Sequence, residues 1–255
     1  MKINVAKQKL LAGETVVGYS LKLPSLVVAE FMGRCGADFL YLDTQHGSWG
    51  EDSVIGGLAA VSSGPATPMA RVSSNRFHRI GRLLDAGALG IIVPLVNTRA
   101  DAQAAADACR FPPVGTRSYG TGRCLVYGDD YPEWINDQVF VAVQIETVEA
   151  VDNAEAILSV PGVDGCMVGP ADLALSLGFP PKEAPQREEH ARALERVLTA
   201  CRNTGKIPGI DPGNIEQAAR HGRNGYRFLV VGADLRMLSA AAAGGIRDMR
   251  QKLAG

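Results

Sequence analysis

Short apolar runs alternate along this chain with longer stretches whose apolar residues recur every three or four positions. The runs are TVVGYSLK from Thr15, FLYLD ending at Asp43, PMARV with Arg71, and GIIVPLV from Gly90. They continue with VFVAVQIE ending at Glu146, GCMVGP, KIPGID and RFLVVGAD ending at Asp234. Apolar runs of four to eight residues between turn signals predict strands buried on both faces, as in a parallel sheet.

The stretches between them predict helices: SLVVAEFMGRCG, EDSVIGGLAAVSS, RFHRIGRLLDAG, RADAQAAADACR, VEAVDNAEAILSV, QREEHARALERVLTACRNTG and NIEQAARHGRNG. The closing LRMLSAAAAGGIRDMRQKL is a helix expected to kink at Gly244 and Gly245. Ser25, after Pro24, is placed to cap the first of these, and Gly87 and Gly205 to stop two others. About eight strand–helix pairs in roughly 250 residues is the usual size of a (β/α)8 TIM barrel. An open doubly wound sheet is the main alternative, but no G-x-G-x-x-G follows the first strand. With no composition break, residues 1–255 read as a single domain. Gly120 and Gly122 sit in a long irregular segment, FPPVGTRSYGTGRCLVYGDDYPEW, and read as flexible backbone.

Composition narrows the partners. Charged residues make up 21% and the formal net charge is -1, which argues against a nucleic-acid or acidic-membrane surface as the main partner. No apolar run approaches a membrane span, and MKINVAKQKLLAGE lacks a signal-peptide core. The five cysteines are scattered without a C-x-x-C pair, as expected of reduced thiols in a cytoplasm.

A barrel gathers its chemistry at the C-terminal strand ends. That rim is predicted to carry Asp43, Gln45 and His46 from strand two, Arg71 from strand three, and Gln144 and Glu146 from strand five. Strand six adds Gly169, Pro170, Ala171 and Asp172, and strand eight adds Asp234. Arg117 and Arg123 are expected to join from the irregular segment. Taken singly these residues have plain roles: Asp234 as a helix cap, His46 as a hydrogen-bonded loop histidine, Arg71 as a rim ion pair. His78, His190 and His221 read as surface or interhelix residues. Together, two carboxylates and an amide suit a divalent ion with oxygen ligands and open positions for a 2-oxo acid. Arg71 supplies a fork of donors for a developing oxyanion, and histidine is the residue type that moves protons near neutral pH. The sum is carbon–carbon cleavage or formation beside a carbonyl.

The strings FLYLDTQHG, RLLDAGALGIIVPLVNT, PPVGTRSYGTGR and VQIETVEAVDN…GVDGCMVGPADLALSLG make the pattern specific. From about Gly18 to Asp234 the chain resembles the HpcH/HpaI family of metal-dependent (class II) pyruvate aldolases. The resemblance implies Mg2+, Mn2+ or Co2+ on Glu146 and Asp172, Arg71 on the pyruvyl group, and His46 as acid–base residue acting through water. It implies Asp85 as the acid partnering that histidine, Asp43 and Gln144 as support for the metal site, and Gly169 and Ala171 beside the bound oxo acid. Tyr19 stands where some members carry Trp, and is expected at the substrate. The chain departs from many members in having Gln45 before the histidine, where they have Glu, and in its SSNRFHR segment. The implied reaction cleaves a 4-hydroxy-2-oxo acid to pyruvate, or a related acid such as hydroxypyruvate, and an aldehyde. The implied assembly is a homohexamer, a trimer of dimers that exchange the last helix. A CoA-ester lyase of the same fold group, a Schiff-base aldolase using Lys22, and a non-catalytic oxo-acid-binding barrel are the competing readings.

Overall fold

The computed structural model describes residues 2–254. Eight parallel strands pair in chain order and close into a barrel. They are β1 (Val16–Leu21), β2 (Phe39–Asp43), β3 (Thr67–Arg71), β4 (Gly90–Val93), β5 (Phe140–Ile145), β6 (Gly165–Val168), β7 (Gly209–Ile210) and β8 (Phe228–Ala233). Strand β8 returns to β1, with Val16 opposite Phe228. KIPGID yields only two strand residues, because Pro208 has no N–H to give to the ladder.

Helices cover the outside: α1 (Val5–Leu11), α2 (Leu26–Met32), α3 (Glu51–Ser62), α4 (Phe77–Asp85), α5 (Arg99–Cys109) and α6 (Tyr131–Gln138). They continue as α7 (Val148–Asp152), α8 (Ala154–Leu158), α9 (Pro170–Ser176), α10 (Glu188–Thr204), α11 (Ile215–Arg223) and α12 (Asp234–Ala254). Ser25 caps α2 by accepting from the Val28 N–H. Gly87, at φ +100, follows the end of α4, and Gly205, at φ +66, ends α10 in the left-handed conformation. VEAVDNAEAILSV is two helices rather than one. Asn153 breaks it, and its side-chain amide donates instead to the Asn97 carbonyl. The last helix stays helical through Gly244 and Gly245.

Alternation along each strand sorts the side chains into two cores. One set faces the helices. The other fills the barrel: Val16, Phe39, Tyr41, Met69, Ile92, Phe140, Ala142, Met167, Phe228 and Val230. Phe228 packs on Phe39 and Phe140 at 4.4 and 5.2 Å between ring centroids. Helix α1, which the apolar pattern did not single out, plugs the N-terminal mouth. Ala6 and Leu10 join the interior cluster, and Asn4 Nδ2 donates to the Leu89 and Gln138 carbonyls. The Lys7 ammonium reaches the Val139 carbonyl at 2.8 Å. With one mouth stoppered and the middle apolar, the polar inward positions are left at the C-terminal mouth.

Among the described residues, no helix is long and apolar enough to cross a membrane.

Candidate active site

The same alternation that puts Phe39 and Tyr41 inside puts Asp43 inside, one step further up β2. On β3 it does so for Arg71, after Met69, and on β5 for Gln144, after Phe140 and Ala142. The β2–β3 register sets Asp43 directly opposite Arg71. Their side chains form a two-pronged pair, Nε to Oδ1 at 2.9 Å and Nη2 to Oδ2 at 2.5 Å. Burial opposes charge on Asp43, but the Arg71 guanidinium outweighs it and holds the carboxyl below its usual range. Asp43 Oδ1 also accepts the backbone N–H groups of Gln45 and His46, which folds the turn that follows. Gly47 completes that turn. A Cβ there would lie 2.3 Å from the Asp43 carbonyl oxygen. The exposed His46 ring is thereby presented to the cavity mouth.

Gln144 links the two halves of the site. Its Oε1 faces Arg71 Nη1 at 3.4 Å, and its Nε2 donates to Glu146 Oε2 at 2.8 Å. The other Glu146 oxygen accepts the Leu95 N–H at 2.9 Å. Leu95 has φ +53, a left-handed conformation that costs a branched L-residue about 1–3 kcal/mol. The strain aims this N–H at the carboxylate. Gly169 packs beside the same group, where a Cβ would fall 2.5 Å from Glu146 Oε2. Asp172 sits in the first turn of α9 and faces the cavity. The buried His190 ring is hydrogen-bonded to the Pro170 carbonyl at 3.0 Å and steadies the Gly169–Asp172 turn. Burial keeps that imidazole below its usual pKa, so it is a neutral donor to the carbonyl.

Glu146 is 3% exposed, and burial raises its pKa, with the nearby Asp172 charge adding to the rise. A buried carboxylate just under the cavity floor, with the Asp172 carboxylate close by at the cavity wall, is a donor set that fits a divalent cation. Among the described residues, no group of three or more His, Cys, Asp or Glu is placed to hold a metal. An ion here takes its remaining ligands from water or substrate, as an open catalytic site requires. The cavity holds about 390 Å3 and is lined by Lys22, His46, Arg71, Gln144, Gly169–Asp172 and Asp211 among others.

Four expected residues fall elsewhere. Asp85 ends α4, at the N-terminal end of the barrel, opposite His46. Within the chain its partner is Arg117, at 2.8 Å. Arg117 and Arg123 lie at that same end, because their segment joins α5 to β5 and so runs beneath the barrel rather than over it. Arg117 is stacked 4.4 Å from the Phe111 ring and bonded to Tyr131, and Arg123 reaches the Ala86 carbonyl. Gly122 there is packed rather than flexible: a Cβ would meet the Asp85 carbonyl oxygen at 2.6 Å. Tyr19 points outward, against the outer core and Gly232, and the inward residue of that pair is Ser20. Asp234 does more than cap α12. It accepts the Lys22 and Leu23 N–H groups at 2.8 and 3.1 Å and ties the β1 loop to the last helix. Sequence reasoning omitted Asp211, which ends KIPGID at the same rim. The strand-end rule that found Asp43 and Glu146 applies to it equally.

Comparison with known proteins accounts for this geometry. Residues 21–241 match the HpcH/HpaI aldolase/citrate lyase family. A 4-hydroxy-2-oxo-heptane-1,7-dioate aldolase of Escherichia coli is 38% identical over 245 residues, covering 94% of this chain and 92% of that protein. The crystal structure of a family protein from Burkholderia cenocepacia J2315 superposes with a TM-score of 0.91 at 34% identity, covering 97% and 99% of the two chains. That of an HpcH/HpaI aldolase from Desulfitobacterium hafniense DCB-2 gives 0.88 at 25% identity, covering 96% of each. From its interior carboxylates to its matched length, the chain belongs to the HpcH/HpaI aldolase/citrate lyase family.

Proposed function

We propose that this protein is a divalent-metal-dependent aldolase that cleaves 4-hydroxy-2-oxo acids to pyruvate, or a close 2-oxo acid, and an aldehyde. The observation that carries the reading is Glu146. A carboxylate buried beside a second acid is costly unless a cation shares the site. Glu146 and Asp172 would hold that ion, with Mg2+, Mn2+ and Co2+ all suited to an oxygen donor set of this kind. A bound divalent cation would supply Lewis-acid stabilisation of negative charge at the C2 oxygen.

The chain's own residues do the rest. Arg71 uses Nε and Nη2 on Asp43, so Nη1 is the nitrogen left to donate toward the oxo acid as charge grows on its oxygen. Asp43 keeps that guanidinium fixed, which removes reorganisation from the step. Gln144, held between Arg71 and Glu146, fixes the floor. Gly169 and Ala171 leave room for the oxo acid against the backbone of the turn. His46, on the open side, moves the C4 hydroxyl proton as the C3–C4 bond breaks, directly or through one water. The bonding pair stays on C3 as part of the enolate, C4 leaves as the aldehyde carbonyl, and a proton delivered to C3 completes pyruvate. The 38% identity to the E. coli heptanedioate aldolase supports the reaction class.

The same reading extends to assembly. Helix α12 buries only Asp234, and leaves Leu238, Ile246, Met249 and Leu253 exposed along its length. An apolar face of this length, left uncovered within the chain, supports a homo-oligomer in which a second copy covers it, with a hexamer built of helix-exchanged dimers as the form proposed. The residues all lie in one chain of residues 1–255, read as a single catalytic domain working in the cytoplasm.

The deciding experiment is pyruvate release from 4-hydroxy-2-oxo acids after exhaustive chelation, followed by readdition of Mg2+, Mn2+ or Co2+. Activity lost and then restored is expected. Full turnover by protein stripped of metal sinks the reading.

A further inference from the structure

The cavity has two ends, and the chemistry above uses one. Arg71, Gln144 and the Gly169–Asp172 turn form the oxo-acid end. Across from them stand Lys22, just past β1, and Asp211, just past β7. Both occupy inward positions of their strands, and neither has a part in breaking the bond.

This end is polar to its base. Asp211 Oδ2 accepts the Tyr41 hydroxyl at 2.8 Å. Burial, and then the charge of Asp211, pushes the Tyr41 phenol well above its usual pKa, so it stays a donor. Lys22 Nζ is 3.5 Å from Asp43 Oδ2, too long for a good hydrogen bond, so its ammonium has donors to offer. Ser20, 1% exposed, lines an adjoining cavity together with Lys22 and Asp211, and its hydroxyl, near the Tyr41 phenol, makes no hydrogen bond of good geometry. Buried polar groups are nearly always satisfied, so an orphan beside a cavity marks a place where something polar is received.

Three kinds of aldehyde tail compete for this space. An alkyl tail would strip water from an ammonium and a carboxylate and return nothing, at about 1–3 kcal/mol for each group left unpaired. A tail ending in carboxylate would suit Lys22, and Arg220 and Arg236 on the same cavity wall, but would meet the Asp211 carboxylate at the same moment. A neutral tail bearing hydroxyls satisfies both, because a hydroxyl accepts from the ammonium and donates to the carboxylate. We propose that Lys22 and Asp211 form a subsite for the hydroxyl groups of the aldehyde half. On the aldolase reading, on which this rests, the substrate is then a 4-hydroxy-2-oxo acid with a neutral, hydroxylated tail, of the kind formed from pyruvate and glyceraldehyde.

The test compares kcat/KM for pyruvate addition to glyceraldehyde (both enantiomers), propionaldehyde and succinic semialdehyde, with metal-loaded protein. Wild type, Asp211→Leu, Asp211→Asn and Lys22→Met are measured. Ratios between aldehydes are taken within each protein, so a loss of active fraction cancels. The wild type is expected to favour its better glyceraldehyde enantiomer over propionaldehyde by at least tenfold, since a site built to bond a hydroxyl rejects the analogue lacking it. Asp211→Leu and Lys22→Met should each bring that ratio down at least fivefold. Asp211→Asn, which still accepts a hydrogen bond, should retain more of it than Asp211→Leu. A wild-type ratio near or below one, a preference for succinic semialdehyde, or a ratio unmoved by both substitutions overturns the proposal. Deuterium exchange at the pyruvate methyl in wild-type protein separates the two levels. Without exchange the aldolase reading itself falls, and with exchange but no hydroxyl preference only the subsite does.

Discussion

Replacing Gly169 with alanine tests how tightly the carboxylate of Glu146 must be placed. The added Cβ would sit 2.5 Å from Glu146 Oε2 and 3.1 Å from its Cβ. Ordinary Cβ contacts begin near 3.4 Å, so the oxygen or the turn must give by about 0.9 Å (3.4 minus 2.5). Glu146 has little freedom to yield, because Leu95 N–H and Gln144 Nε2 each hold one of its oxygens. A misplacement of about 1 Å costs on the order of 100-fold in rate, or about 2.7 kcal/mol of barrier. Overpacking a tight site costs about 1–3 kcal/mol of stability as well. The assay is kcat/KM for pyruvate release at saturating metal, with metal affinity measured by calorimetry. Gly81→Ala is the control: it lies in α4, a Cβ there meets nothing within 4 Å, and it should leave catalysis unchanged. If folded Gly169→Ala works within threefold of wild type and binds metal as tightly, Glu146 is not a tightly placed metal ligand.

Asp43→Asn leaves the Arg71 guanidinium buried without its counter-charge and should cost about 3–5 kcal/mol, read from the urea midpoint at pH 7. Since the folded pKa of Asp43 is depressed, its stabilisation is present above the unfolded value of about 3.9 and lost as pH falls through the lower folded one. The variant should therefore lose part of the wild-type decline in stability on that acid side, and an unaltered slope would refute the pairing. His46→Ala should lower kcat by about 100- to 10,000-fold with an unchanged melting temperature, because the ring is exposed and no packing depends on it. Glu146→Gln should abolish the rise in melting temperature that divalent metal gives the wild type.

Much of the site was legible because strand ends are legible. FLYLD and VFVAVQIE finish on an acid after an apolar run and PMARV carries Arg71 at its end, and Asp43, Arg71 and, through Gln144, Glu146 are joined at one mouth of the barrel. Tyr19 was expected at the substrate by its likeness to the Trp of other members, but it points outward while Ser20 points inward, because a one-residue shift along a strand exchanges the barrel interior for the helix layer. Asp211 was legible by the same rule, since KIPGID ends on it, but that run is short and interrupted by Pro208 and Gly209, a weaker strand signal than FLYLD or VFVAVQIE. Asp85 was placed by likeness of motif and Arg117 by the length of its irregular segment, and neither signal records which mouth of the barrel a residue stands at.

Periodicity therefore determined the number and order of elements, the parallel closure they imply, and the polar character of the strand ends, since all of these follow from local spacing and from where apolar groups must be buried. Tertiary structure alone decided the phase of each strand, the use of Asn4 and Lys7 to stopper the far mouth, the strained Leu95 N–H aimed at Glu146, and the meeting of Lys22 with Asp211. Each of these joins residues between about 50 and 190 positions apart, or depends on a backbone conformation that local preference disfavours. Contacts of that kind exist only once the barrel has closed, and a linear pattern carries no trace of them.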